Sequence, residues 1–262
     1  MTALDIKAPV TARGGGESAG LAAVLLRLHR PALVVWALLV AVTSTLLLWA
    51  HGPGADAAHA EWLRICDGGE PCTWGGAITD YHRARTLAEA VVAVLPLPVA
   101  AWAGAALIGR ELESGTAHLA WTQGVSPARW LTAKLALPAA LLTTGSALLV
   151  VLHSLLAATA PFPYDWRWHS QNLPSDGALA LVNPFLGLAL GALAGLVLRR
   201  SLPALAVAVA ATEAVLATTG CLRNPHASSP SWPLRLVETG LVLAVAAVAA
   251  VIAFRLLRRR TV

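Results

Sequence analysis

The sequence predicts an all-α polytopic membrane protein with six transmembrane helices, and three observations carry that prediction. The first is composition. Of 262 residues, 57% are apolar and 13% are charged, with a mean hydropathy of +0.66, whereas an ordinary soluble domain is about 25% charged. That is too little polar surface to cover a water-soluble globule. A disordered chain would need the opposite bias, and three cysteines cannot staple a chain of this length into a disulfide scaffold. The second observation is six apolar runs of the length a bilayer requires, about 20 residues. They cover 31–50, 86–109, 135–158, 177–198, 203–221 and 236–254. The third is charge. The rest divides into two alternate sides of 67 residues each, carrying 13 and 6 Lys plus Arg. The positive-inside rule then places both termini in the cytoplasm.

Residues 1–30 form a cytoplasmic tail, with Gly14-Gly15-Gly16 as a flexible stretch. Over 17–30, Leu21, Val24, Leu25 and Leu28 share one face and Arg27 and Arg30 lie off it. This suits an interfacial helix on the inner leaflet, or else an extension of the first span. The first apolar run starts too late and runs too long for a cleavable signal peptide. The outer loop 51–85 contains Cys66-Asp-Gly-Gly-Glu-Pro-Cys72. A disulfide is favoured there and would contribute about 2 kcal/mol for so short a ring. Metal ligation with His59 or His82 lacks a standard spacing. Trp49, Trp166, Trp168 and Trp232 fall at the outer interface and Trp121 and Trp130 at the inner one, as an aromatic belt requires.

Pro96 and Pro98 interrupt the second span, either as a static kink or as a hinge. Residues 110–134 are a long polar cytoplasmic segment. Thr116 is read as capping a short helix over 117–123 that carries Leu119 and Trp121, and Ser126-Pro127 reads as N-cap and first residue of the third span. His153 lies in the outer half of that span. Asn183-Pro184 marks the start of the ordered outer half of the fourth span, and Gly187, Gly191 and Gly195 give it a small-residue face for close helix contact. Glu213 is central in the fifth span, where an acid is expensive and faces a bundle interior or water. Glu213 and His153 are the substrate-pathway candidates. Glu89 and Glu238, near outer span ends, read as hydrated, and Cys221 as a free packing residue. The tail Arg255–Arg260 anchors the last span among inner headgroups.

The chemistry that is missing narrows the function. No G-x-x-x-x-G-K-[ST] is present, and neither Lys7 nor Lys134 follows a glycine-rich loop, so the chain holds no P-loop ATPase of its own. No His-Glu-x-x-His and no Gly-x-Ser-x-Gly occurs. Glu111, Glu113, Ser114 and His118 could be sketched as a hydrolytic set but lack a convergent pocket. The net charge of +5 sits at membrane edges, which argues against nucleic-acid binding. From the residues alone, an intramembrane enzyme or a proton-coupled secondary transporter centred on Glu213 stands as the alternative to a partner-driven transporter.

The segment 110–134 carries a resemblance. Glu111-x-Glu113-x-Gly115-Thr116, Trp121-Thr122-Gln123-Gly124-Val125-Ser126 and Arg129-Trp130-Leu131-x-x-Lys134 resemble the permeases of actinobacterial type-2 ABC transporters. Leu26–Arg30, Leu190–Gly195, Arg199–Ala204 and Leu222–His226 agree in order along the chain, with a departure at Pro127-Ala128, where a basic residue is expected. The resemblance implies a non-catalytic, six-span half-transporter of the bacterial plasma membrane. It also implies a second permease subunit, and a cytosolic P-loop ATPase in two copies that binds ATP and Mg, with no cofactor in this chain. The cargo class it implies is drug-, peptide- or lipid-like compounds for export. By the same resemblance Glu111, Glu113, Gly115, Thr116, Thr122, Gln123, Arg129, Trp130 and Lys134 are the ATPase-coupling residues.

Overall fold

The computed structural model describes residues 30–66, 75–158, 177–221 and 232–260, and the regular elements among them are all helical. Six helical stretches are long and apolar enough to cross a membrane, at the positions the hydropathy runs predict. The expected interfacial helix, Cys72 and therefore its pairing with Cys66, Trp166, Trp168 and the turn at 222–226 lie outside the described residues.

The chain falls into two compact units, 1–42 and 43–262. The described part of the first is the opening half of α1 (Arg30–His51), a regular helix whose Val34, Val35, Leu38 and Val42 are exposed.

The second unit begins with the rest of α1 and continues, after Gly52, into α2 (Pro53–Cys66). The stretch expected as an outer loop is therefore largely helical. Pro53 is pre-organised for a first helical position. Ala55 and Ala58 then bury against Ile78 and Tyr81 of α3 (Gly76–Val94). Glu61 of α2 accepts the Ile78 backbone N–H at 2.9 Å. It supplies the cap that Gly75, having no side chain, cannot.

The second span is segmented. α3 ends at Val94, and α4 (Pro96–Trp102) follows after Leu95 because neither proline offers an N–H to the ladder. Pro96 is fully buried. A π-helical stretch (Ala103–Gly109) comes next, then one turn, α5 (Arg110–Glu113). After α6 (Thr116–Thr122) come the long helices α7 (Pro127–Ala158), α8 (Gly177–Leu198), α9 (Ser201–Gly220) and α10 (Trp232–Arg260).

Helix α8 is central and packs on α4, the π-helical stretch, α7, α9 and α10. Its glycine face is used within the chain: a Cβ on Gly191 would sit 2.5 Å from the Ala100 carbonyl oxygen. Asn183 and Pro184 lie inside α8, not at its start, and both are buried. Leu179, Val182 and Leu186 meet Val242 and Ala246 of α10. The helix stops at Arg199, a left-handed residue at φ 54 whose N–H donates to Gly195 O at 3.0 Å. Two further expectations are corrected. Glu89 and Glu238 are buried, not hydrated, and Cys221 is exposed, not packed.

Candidate functional site

The segment between the second and third spans is built from two glycine-punctuated turns. The first is closed by its own motif. Ser114 N–H donates to Arg110 O at 2.9 Å, and the Ser114 and Thr116 hydroxyls both donate to Glu111 O, at 3.4 and 3.2 Å. Gly115 sits at φ 75, a conformation other residues adopt at a cost. The short helix therefore starts at Thr116 with Gly115 as its cap position, and Thr116 does not cap it. The side chain that could cap the next helix is tied to the previous turn instead. The second turn closes at Gly124, φ 89. Ser126 then caps the third span through its hydroxyl, which accepts the Arg129 N–H at 3.3 Å.

Helix α6 has one buried and one open side. Ala117 is fully buried. Trp121 turns inward, edge-on to Trp130 at 5.8 Å and to His118 at 4.7 Å, and Trp130 is buried. Leu119 points outward at 61% exposure. Thr116, Thr122, Gln123 and Arg129 share its exposure.

The two acids of this segment are both engaged inside the chain. Glu111 forms an ion pair with Lys134, whose side chain is 7% exposed. This joins the foot of the second span to the third. Glu113 accepts two hydrogen bonds from Ser201, 2.9 Å from the backbone N–H and 2.6 Å from the hydroxyl. Ser201 is the first residue of α9, and Arg200 before it makes no side-chain cap. Glu113 lies beyond the apolar stretch that ends at Gly109. The Ser201 hydroxyl bond, then its N–H, then the nearby Arg200 charge hold its carboxyl below the ordinary carboxylate range. The same contact puts the second-to-third and fourth-to-fifth connections on one side of the bundle. Of the nine residues the resemblance singles out, Glu111, Glu113, Lys134 and Trp130 are thus occupied internally. Gln123 and Arg129 are exposed, Thr116 and Thr122 are exposed but donate their hydroxyls to Glu111 O and Leu119 O at 3.2 and 2.9 Å, and Gly115 sets the turn. Ser201 is a partner the sequence reading missed. Its signal was the absence of any capping side chain at Arg200.

A second polar group lies toward the other end of the bundle. Tyr81, Arg85 and Glu89, four residues apart on one face of α3, are all buried. Arg85 Nε donates to Glu89 Oε1 at 2.8 Å, which neutralises a carboxylate that would otherwise be costly there. Glu89 and His153 line the same small cavity, with Leu47, Val92, Leu149 and Ala180. Ser146 Oγ and Asn183 Oδ1 are buried nearby in sequence without a hydrogen-bond partner. His153 is thus half-buried at this cavity, whereas Glu213 is exposed on the surface of α9 and does not join it. The structure does not bring the two pathway candidates together.

A protein-family profile described as ABC-2 membrane transporter related matches residues 36–223, most of the chain and all of the segment just described. No curated protein and no solved structure matches. With six membrane-spanning helices and this match, the chain belongs to the ABC-2 membrane transporter related family and is a multi-pass permease of the ABC type-2 class.

Proposed function

We propose that this chain is the non-catalytic membrane subunit of an ATP-driven exporter of the bacterial plasma membrane. In this reading residues 1–30 are a cytoplasmic tail ahead of the six-helix domain 31–262. Both termini and the segment 110–134 face the cytoplasm, and a separate P-loop ATPase, in two copies, binds ATP and Mg and grips that segment. The observation that carries the reading is α6. A short helix is pinned to the bundle by Ala117 and the Trp121–Trp130 contact, yet presents Leu119 bare. An exposed apolar side chain on a short helix that also exposes Thr122, with Gln123 and Arg129 exposed in the same segment, has the composition of a small, polar-rimmed protein contact.

A second permease subunit completes the pathway. Glu213 supports it: an acid in mid-span on the outer surface of one chain is costly against lipid and calls for a protein or water neighbour. Cargo of amphipathic or cationic character suits such a wall, within a drug-, peptide- or lipid-like class. The test is purification from the native membrane in mild detergent with mass identification of stoichiometric partners. A co-purifying P-loop ATPase, lost with Leu119→Asp while the chain stays folded, is the expected result. A chain that purifies alone after cross-linking with ATP present would sink the reading. Transport unchanged by Glu213→Ala would remove that residue from the pathway.

A further inference from the structure

We infer that Glu113 is a positioning residue that locks the foot of the second span and the start of the fifth into one moving body. The inference rests on the permease reading for its consequence in the cycle, but its geometry stands on the chain alone. Glu113 is 88 residues from Ser201 in sequence, and its carboxylate takes both the first N–H of α9 and the Ser201 hydroxyl. A helix N-terminus leaves donors that a side chain must satisfy, and the local position for such a side chain holds Arg200, which satisfies none. The cap has been moved from the helix that needs it to the segment a partner would push.

The surroundings fit a tie. At its root, the segment is fixed on two sides, by Glu113 to the fifth span and by Glu111 to Lys134 of the third. The second span also approaches the fifth closely. A Cβ on Gly104 would lie 3.0 Å from the Ala204 carbonyl oxygen, and one on Gly109 would lie 3.2 Å from the Ser201 Cα. Beyond the root the polar ties end, and α6 is held by Ala117 and the Trp121–Trp130 contact. Gly115 and Gly124, both left-handed and both with open space around them, bracket α6. Force on α6 is therefore delivered to a root from which the third and fifth spans both hang, and Glu113 is the polar link to the fifth.

The competing explanation is that Glu113 merely stabilises the end of α9. One variant separates the two. Arg200 has extended backbone, φ −134 and ψ 134, as an N-cap residue requires. In Glu113→Ala/Arg200→Asp the helix regains a cap from its own chain, but the link to the second span is gone. The full-length chain, its native cysteines changed to serine, would carry spin labels at Arg110→Cys and Leu202→Cys, both exposed positions. The distance distribution between them is the readout. It should be narrow in the parent, broaden in Glu113→Ala, and stay broad in the Arg200→Asp double variant although thermal stability returns. A distribution that Glu113→Ala leaves narrow would show that glycine packing alone joins the spans. One that Arg200→Asp restores would make Glu113 a cap and nothing more; either overturns the inference. In the complex with its ATPase, kcat for ATP should fall about two- to fivefold in both variants with KM unchanged, the factor a solvent-exposed charged contact controls. Failure to isolate any ATPase would count against the permease reading and leave the label distances as a test of the tie.

Discussion

The Glu111–Lys134 pair makes the sharpest prediction about stability. The Lys134 side chain is 7% exposed and that of Glu111 19%. Lys134 also follows the fully buried Leu131 on the same helix, so water cannot easily replace a lost partner. Removing one member of a buried pair costs about 3–5 kcal/mol, because the other charge stays behind without compensation. Glu111→Ala should reach that range, and Lys134→Ala should cost less, since Glu111 is the more open of the two. Glu111→Leu/Lys134→Met removes both charges and should return to within about 1 kcal/mol of the parent. A loss of 3–5 kcal/mol corresponds to roughly 6–20 °C in melting temperature for a chain of this size. Near-UV circular dichroism in micelles reads it directly, because the edge-on Trp121–Trp130 contact lies in the same segment. Single variants that cost under about 1 kcal/mol, or a double variant worse than either single, would refute the reasoning. The pair would then behave as an exposed surface contact.

Four further outcomes follow from the packing and charges. Gly191→Val should leave little folded protein in the membrane fraction, because its Cβ meets the Ala100 carbonyl at 2.5 Å and the Ala103 Cβ at 2.7 Å. Gly240→Ala, with nothing within 4 Å, should stabilise α10 by about 0.5–1 kcal/mol in the same melts. Glu89→Gln should lower the melting temperature far more than Glu61→Gln. It strands Arg85, whose side chain is 11% exposed, whereas Glu61→Gln keeps an acceptor for the Ile78 N–H. The Glu113 carboxyl is held low by Ser201, so its link is complete above the ordinary carboxylate range and is lost only as pH falls through the lowered value. The Arg110–Leu202 label distance should therefore be constant from neutral pH down to about pH 5 and broaden only in stronger acid, below the usual Glu value of about 4.3.

What the sequence made legible was whatever depends on neighbours along the chain. Apolar runs of bilayer length marked all six spans, Ser126-Pro127 marked the start of the third, and the spacing of Gly187, Gly191 and Gly195 marked a close contact. Local rules failed where a distant group took over a local job. Gly75 and Arg200 both precede helices without offering a capping side chain, and in each case an acid from elsewhere, Glu61 or Glu113, supplies it. No spacing rule connects residues 88 positions apart. The Glu-x-Glu motif read as partner-facing polarity, and no spacing rule showed that its two carboxylates also bind the chain itself. The α2 helix was missed because Gly52-Pro53-Gly54 reads as a loop, although the alanines beyond it sit at helical spacing. Glu89 was misplaced for a related reason. Its depth was countable, but that Arg85 one turn earlier faces the same buried surface depends on which side of α3 meets the bundle.

The contrast between Glu89 and Glu213 carries the last prediction. Both acids lie within spans. Glu89 has Arg85 and a buried face, whereas Glu213 stands on an exposed strip of α9 with Ala210, Ala214 and Ala217. A charged acid at a span centre costs about 3 kcal/mol against lipid. A second subunit covering this strip would recover that cost, a factor of about a hundred in association. The small alanines would let the two backbones approach closely. Glu213→Leu removes the penalty in the isolated chain and hence the incentive to associate. In nanodiscs at equal protein-to-lipid ratio, the parent should cross-link as a dimer through Ala217→Cys, and Glu213→Leu should shift toward monomer by about that factor. If Glu213→Leu associates as tightly as the parent, the strip is not the contact between subunits. The carboxylate must then be hydrated by water that reaches this outer face, or be covered by a different protein.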